Sequence, residues 1–230
     1  MLAEDAGLTR GMDRMREEPI DDELRLSFLG ILIEDVLAAD ARRSDSDTQT
    51  HRREIIRAVF AAIEGSIWLY REHVRSIAKS MGLLTPVADL ALRERSFSVT
   101  ERGTIIEQVR FVTLPTIIKL TNRQAQLIDP SLSLDVGHQG WSDLKQALEI
   151  RHRITHPKNR ENLHVTKMDL AMVRSAFSWV NGATETYLTA VTSAFRKHVV
   201  EMREVVDGLV NGDKAILAAY RAAVNADEGD

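Results

Sequence analysis

The sequence predicts an all-α, mostly antiparallel bundle of five to seven helices. Three observations carry that expectation. Glycine and proline are scarce, 12 and 5 among 230 residues, against a usual combined share near ~12%, which argues against a many-turned sandwich or a long disordered linker. Apolar residues return at helical spacing over long stretches. The stretches between them are short and polar.

Taken in order, residues 1–19 carry mixed charge, little periodicity and a closing Pro19, and read as a loosely attached arm. Asp21 and Asp22 suit a helix start, because carboxylates favour its positive end. Leu24, Phe28, Ile31, Leu32 and Val36 continue that helix to about Asp40. Residues 40–50 hold no large apolar side chain and read as a surface connection. From Ile55 to Ile77 the 3.6-residue rhythm is unbroken, with Met81-Gly82 as the stop. Pro86 opens a short helix over 86–94.

Residues 96–100 alternate, as a short strand or extended loop would. Ile105, Ile106, Val109 and Val112 fit a helix, with a break or kink at Pro115 before Ile117, Ile118 and Leu120. Asp129-Pro130 ends that segment, and residues 129–140 connect it to a helix over 141–155. A polar loop over 157–165 follows. Thr166 and Asp169 have capping-box spacing, opening a helix from 167 to about 200 with a weak point at Asn181-Gly182. A last helix covers about 200–224, with a second weak point at Asn211-Gly212. One helical domain over 20–224 and an acidic tail over 225–230 result.

Composition narrows the function. Cysteine is absent, so disulfide scaffolds, thiolate zinc sites and cysteine nucleophiles are excluded. The net charge of −4 makes wholesale adhesion to polyanions the wrong mode; any such site is a local patch. No stretch approaches the ~20 apolar residues of a membrane helix, and residues 1–19 lack an apolar signal core. A cytoplasmic protein without membrane association is expected.

The informative stretch is WSDLKQALEIRHRITHPKNR, residues 141–160. On a helical wheel Trp141, Leu144, Ala147, Leu148, Ile150 and Ile154 share one apolar arc. Arg151 falls in the middle of it. A guanidinium there needs an acid, a ligand phosphate or a second subunit to offset desolvation. Residues 151–160 contain Arg151, Arg153, Lys158, Arg160, His152 and His156 and no acid, a positive block in a net-negative chain. His156 stands about 140° around an ideal helix from Arg151. Pro157 pushes the residue before it out of α geometry, which would let His156 swing toward the Arg151 side.

This run, Arg151-His152-Arg153-Ile154-Thr155-His156, resembles the signature of the HEPN superfamily: arginine, a polar residue, a spacer making four to six intervening residues, then histidine. His152 stands where Asn is common. The resemblance covers about twenty residues in motif terms and the rest of the chain only in helical character. It implies a helical homodimer acting as a metal-independent ribonuclease without cofactor, of the toxin or antiviral-defence type, with RNA as substrate and an antitoxin or sensor protein as restraint. His156 would be the acid/base residue, because a histidine can take a proton from a 2′-hydroxyl or give one to a leaving oxygen. Arg151 would clamp the scissile phosphate. His152 and Thr155 would support them, and Arg153, Lys158 and Arg160 would meet RNA phosphates. Cleavage would leave 2′,3′-cyclic phosphate ends, and a two-fold dimer would bring two Arg151/His156 pairs to one cleft. One toxin branch carries a tyrosine two positions after the motif histidine. Here that residue is Lys158, so control by modifying that tyrosine is not expected.

Two other readings compete. Glu149 and His152 match one Glu-x-x-His element of a di-iron bundle, but the only other, Glu161 to His164, lies in a predicted loop. A non-catalytic helical subunit or adaptor would use the same apolar faces for a partner, with Arg151 in a structural ion pair to an acid such as Glu64 or Glu72. Trp68, Trp141 and Trp179 read as core or interface anchors.

Overall fold

The computed structural model describes residues 27–227. The arm over 1–19, the Asp21–Asp22 helix start and the last three residues of the acidic tail lie outside the described residues. Seven α-helices and one β-hairpin make up the described chain: α1 (Phe28–Asp45), α2 (Gln49–Ser80), α3 (Pro86–Leu92), β1 (Arg95–Val99), β2 (Ile105–Val109), α4 (Leu114–Ile128), α5 (Gln139–Thr155), α6 (Lys167–Val210) and α7 (Lys214–Asp227). The all-α bundle is therefore the architecture, with a two-stranded ribbon added to it.

The centre is α2. Ile55, Ile56, Val59, Phe60, Ile63 and Ile67 are buried along it and meet Val36 of α1, Ile117 and Ile118 of α4, Leu144, Ala147 and Ile150 of α5, and Leu170, Val173 and Phe177 of α6. A smaller cluster continues toward the other end of α2, where Tyr70, Val74 and Ile77 pack with Ala125, Ile128 and Val191. Truncating a fully buried residue such as Ile63 to alanine costs about 2–5 kcal/mol. Gly82 ends α2 at φ 71, with the Leu83 N–H donating to the Ala78 carbonyl (2.8 Å) and the Gly82 N–H to that of Lys79 (3.1 Å), the closing pattern expected of Met81-Gly82.

Helix α1 runs on to Asp45, so the expected connection over 40–50 shrinks to three residues before α2. The absence of large apolar side chains does not stop a helix whose alanines and arginines are good helix formers. Asp40 is buried and bonded by Arg174 of α6 and Arg43, which ties the extra turn to the bundle. Pro115 neither breaks nor kinks a helix; it occupies the first turn of α4, where its missing N–H costs nothing.

The segment over 105–112 is the largest departure. Ile105, Val109 and Val112 have helical spacing, but Ile105 and Val109 also fall on one face of an extended chain, and that is the form adopted. β2 pairs antiparallel with β1, Val99 opposite Ile105 and Arg95 opposite Val109. The turn closes with Thr100 and Thr104 paired and Gly103 at φ 74, a conformation that favours glycine. At the hairpin base Glu94 adopts φ 54, and its carboxylate accepts from the Val112 N–H (3.0 Å) and Arg71 (2.9 Å). Burial alone would raise the Glu94 carboxyl, but those two bonds outweigh it and hold it below the usual carboxylate value.

Helix α6 opens with the predicted capping box: the Thr166 hydroxyl accepts from the Asp169 N–H (3.1 Å) and the Asp169 carboxylate from the Thr166 N–H (2.8 Å). It then runs 44 residues without a break at Asn181-Gly182, because Ser66 of α2 donates to the Asn181 side chain (3.1 Å) and anchors that turn. Nor does it end near 200. The break falls at Asn211-Gly212, Gly212 at φ 72, and α7 extends to Asp227, taking in residues expected to belong to the tail. Among the described residues no helix is long and apolar enough to cross a membrane.

Candidate functional site

The two ends of α5 are built differently. At the start, the His138 ring nitrogen Nδ1 accepts from the Gly140 N–H (2.9 Å), and its ring stacks on Trp179 at 6.2 Å. Gly140 admits no side chain: a Cβ would overlap the Trp179 ring. Asp143 is buried and accepts from Ser175 of α6 and from Gln139. Every polar group named there has a partner.

At the other end the chain leaves the helix at His156, whose backbone (φ −123, ψ 61) is no longer helical, while its N–H still donates to the His152 carbonyl (2.9 Å). This is the departure that Pro157 imposes. The imidazoles of His152 and His156 come together, ring centres 5.2 Å apart, and both are exposed. Lys158 and Arg160 are exposed beyond them, without an ion pair among the described residues.

Arg151 is not hidden. Its side chain is 38% exposed, lies over the Phe60 ring at 5.9 Å and pairs with Glu64 of α2 at 2.9 Å, a carboxylate itself 45% exposed. The expected burial fails because α2 and α6 do not cover the whole apolar arc at this end of α5. Glu64 supplies the acid that the wheel called for. Thr155 donates its hydroxyl back to the Arg151 carbonyl (2.8 Å), a bond within the helix.

Arg153 has a structural task. Its guanidinium donates to the carbonyls of Asn162 (2.9 Å) and His164 (2.6 Å) and to the Asp169 carboxylate (2.6 Å). It thereby staples α5 to the single 3₁₀ turn Glu161–Leu163 and to the start of α6. Arg153, expected to meet RNA phosphate, is thus already engaged within the fold. Burial alone would raise the Asp169 carboxyl; the Thr166 and Arg153 bonds more than compensate, so it ionises more readily than an ordinary aspartate.

Arg151, His152, Glu149 and Glu64 line an open groove of about 910 Å³. Phe111 and Thr113 just before α4, Pro115 in its first turn and Trp68 of α2 complete its wall. His156 is not among the groove's lining residues, so the structure joins His156 to His152, and His152 and Arg151 to the groove, in sequence. Trp68, expected in the core or an interface, is 47% exposed in this wall, whereas Trp141 is buried. A metal reading gains nothing: Glu161 opens the 3₁₀ turn and His164 follows it, and no three metal-ligating His, Asp or Glu side chains converge among the described residues.

Sequence reading missed a second cleft, of about 560 Å³, between α3, the hairpin and α4. Arg110, Lys119 and Arg123 line it. The signal available was the Arg110-Phe111 neighbour pair and the i,i+4 spacing of Lys119 and Arg123, which share one face of α4. No family model, curated protein or solved structure matches the chain.

Proposed function

We propose that the protein is a HEPN-like, metal-independent endoribonuclease. One observation carries the reading: two exposed imidazoles, His152 and His156, meet at a helix end that a His-Pro pair forces open, and His152 lines with Arg151 a groove large enough for a nucleotide chain. His156 takes the proton from a ribose 2′-hydroxyl, O2′ attacks the adjacent phosphorus, and the bond to the 5′-oxygen breaks. That oxygen leaves with the proton that the His156 imidazolium gives back, so the imidazole ends neutral and the product strand ends in a 2′,3′-cyclic phosphate. Arg151 binds the phosphate and stabilises charge on its oxygens. To do so it exchanges Glu64 for the substrate, an exchange that a half-exposed pair permits at small cost. His152, in ring contact with His156, orients it. Lys158 and Arg160 draw the strand in. A two-fold dimer would double the Arg151/His156 sets in one cleft, and a toxin or antiviral-defence role would follow the motif.

The test is purified protein with total RNA in EDTA, beside His156→Ala and Arg151→Ala. Cleavage by the parent alone, with cyclic phosphate ends, is the expected result. Activity that requires metal or survives His156→Ala would refute the mechanism.

A second reading, a non-catalytic interaction subunit, is favoured by a different feature. Val199, Met202, Val206 and Val210 stand exposed along the far part of α6, continuing the line of its buried Val180 and Val191. Such a stripe suits a partner helix. Under that reading Arg151–Glu64 is a structural pair, and the parent protein leaves RNA intact.

A further inference from the structure

We infer that the cleft between α3, the hairpin and α4 is a binding site for single-stranded polynucleotide, which it feeds toward the end of α5. Arg110, Lys119 and Arg123 are exposed along it without an ion pair among the described residues. Lys119 lies over the Trp141 ring at 5.4 Å, a contact that leaves its charge in place. The one carboxylate of the cleft, Glu94, is already engaged by Arg71 and the Val112 N–H. Two guanidiniums and the Lys119 ammonium thus line one cleft in a chain whose net charge is negative.

The cleft also offers flat apolar surface where a soluble monomer would hide it. Phe97 of β1 is 61% exposed in its wall. Glu94 and Val112 line both this cleft and the groove beside Arg151, so the two adjoin. On the groove side stand Phe111, 89% exposed, and Trp68. Cations alternating with exposed rings along a path are what an unpaired strand requires. Phosphates follow the charges, and bases stack on the rings without regard to sequence. A duplex keeps its bases stacked inside and has no use for Phe97, Phe111 and Trp68. Strandedness is therefore set by the rings, and affinity by the cations. The hairpin holds no buried face of its own, and carrying Phe97 and Arg110 to this cleft gives its exposed residues a use.

The site stands on its own geometry; only the direction of the strand rests on the reading of the α5 end as a cleavage centre. The experiment separates the two. Fluorescence anisotropy with a labelled 15-nucleotide uridine RNA and its deoxy counterpart measures binding to the His156→Ala chain, with duplex RNA as competitor. Both single strands bind, the duplex competes poorly, and neither strand is cut. The double variant Arg110→Glu/Arg123→Glu weakens binding at least tenfold and flattens the salt dependence by roughly 0.7 logarithmic slope units per cation lost. Phe97→Ala and Phe111→Ala each weaken it roughly tenfold. All four positions are on the surface, and unchanged circular dichroism and melting show that the fold is kept. Equal binding by the double variant, preference for duplex, or no binding of either single strand overturns the inference. If the cleft binds as stated while the unsubstituted protein leaves RNA uncut, the cleavage mechanism alone fails. If RNA is cut while the double variant binds like the parent, the cleft alone fails.

Discussion

The first turns of α5 and its last turn belong to one helix and do opposite things. At the beginning, His138, Gly140, Trp141 and Asp143 are each fitted to a neighbour on α6, and the backbone approaches Trp179 too closely for any side chain at 140. At the end, His152, His156, Lys158 and Arg160 are exposed, and Arg151 shares a half-exposed carboxylate. A group whose bonds are all satisfied within the fold stabilises it and has nothing left for a ligand. A group held in place by its backbone but open at its tip can be used by one. Within the same turn Arg153 shows the contrast in a single residue type: two positions from Arg151, it is closed off by Asn162, His164 and Asp169.

Four substitutions break or sharpen this contrast. The largest effect is expected at the open end. His156→Ala lowers RNA cleavage by about 10²–10⁴-fold, the usual contribution of a positioned acid or base, with the melting temperature nearly unchanged. At the closed end Gly140→Val acts on folding instead. The added branch has no room beside Trp179, and unfolding in urea shows a loss of about 3 kcal/mol or more. A normally stable Gly140→Val chain would remove the distinction between the ends. Arg153→Ala comes next. It releases two carbonyls and the Asp169 carboxylate, lowers stability by about 1–3 kcal/mol and speeds amide exchange over 157–165. Smaller is Glu64→Gln. Its pair with Arg151 is half exposed and worth under about 1 kcal/mol, so stability barely moves, while RNA binding and cleavage rise a few-fold as Arg151 is freed.

The histidines divide the same way and give the smallest effect. His73 of α2 lies against α6, its Nε2 2.8 Å from the Thr192 hydroxyl, and burial holds its pKa below the ordinary histidine value. The unfolded chain therefore binds that proton more readily than the folded one. The stabilisation is complete above the ordinary value and declines as pH falls through it toward the lowered one. Urea midpoints of the parent and His73→Gln should converge as the pH drops from 8 to 5. A gap that widens on acidification would reverse the sign.

Much of the scaffold was legible because its signals are local. The capping box at Thr166/Asp169, the stop at Gly82, the break at Asn211-Gly212 and the His-Pro exit at 156 each follow from the conformational preference of a few adjacent residues. The meeting of His152 and His156 at that exit follows from the same local geometry. Of the hairpin, β1 was anticipated by the alternation over 96–100, but β2 was not, since Ile105 and Val109 fit a helical face as well as a strand face and neither face of the ribbon is buried enough to choose between them. The continuation of α1 to Asp45 was hidden as well, because it depends on Arg174, 134 residues away from Asp40.

By itself the sequence determined most of the helical segments, where α5 must open, and which charges cluster at that opening, because backbone dihedral preferences and apolar spacing act over a few residues. Only the tertiary structure decided how much of the α5 arc is covered, that Arg151 emerges beside Glu64 while Arg153 is closed off, and that Arg110, Lys119 and Arg123 face one cleft with Phe97. Those outcomes depend on where other helices end and how closely they approach. Such distances arise from the packing of residues far apart in the chain, which no local pattern records.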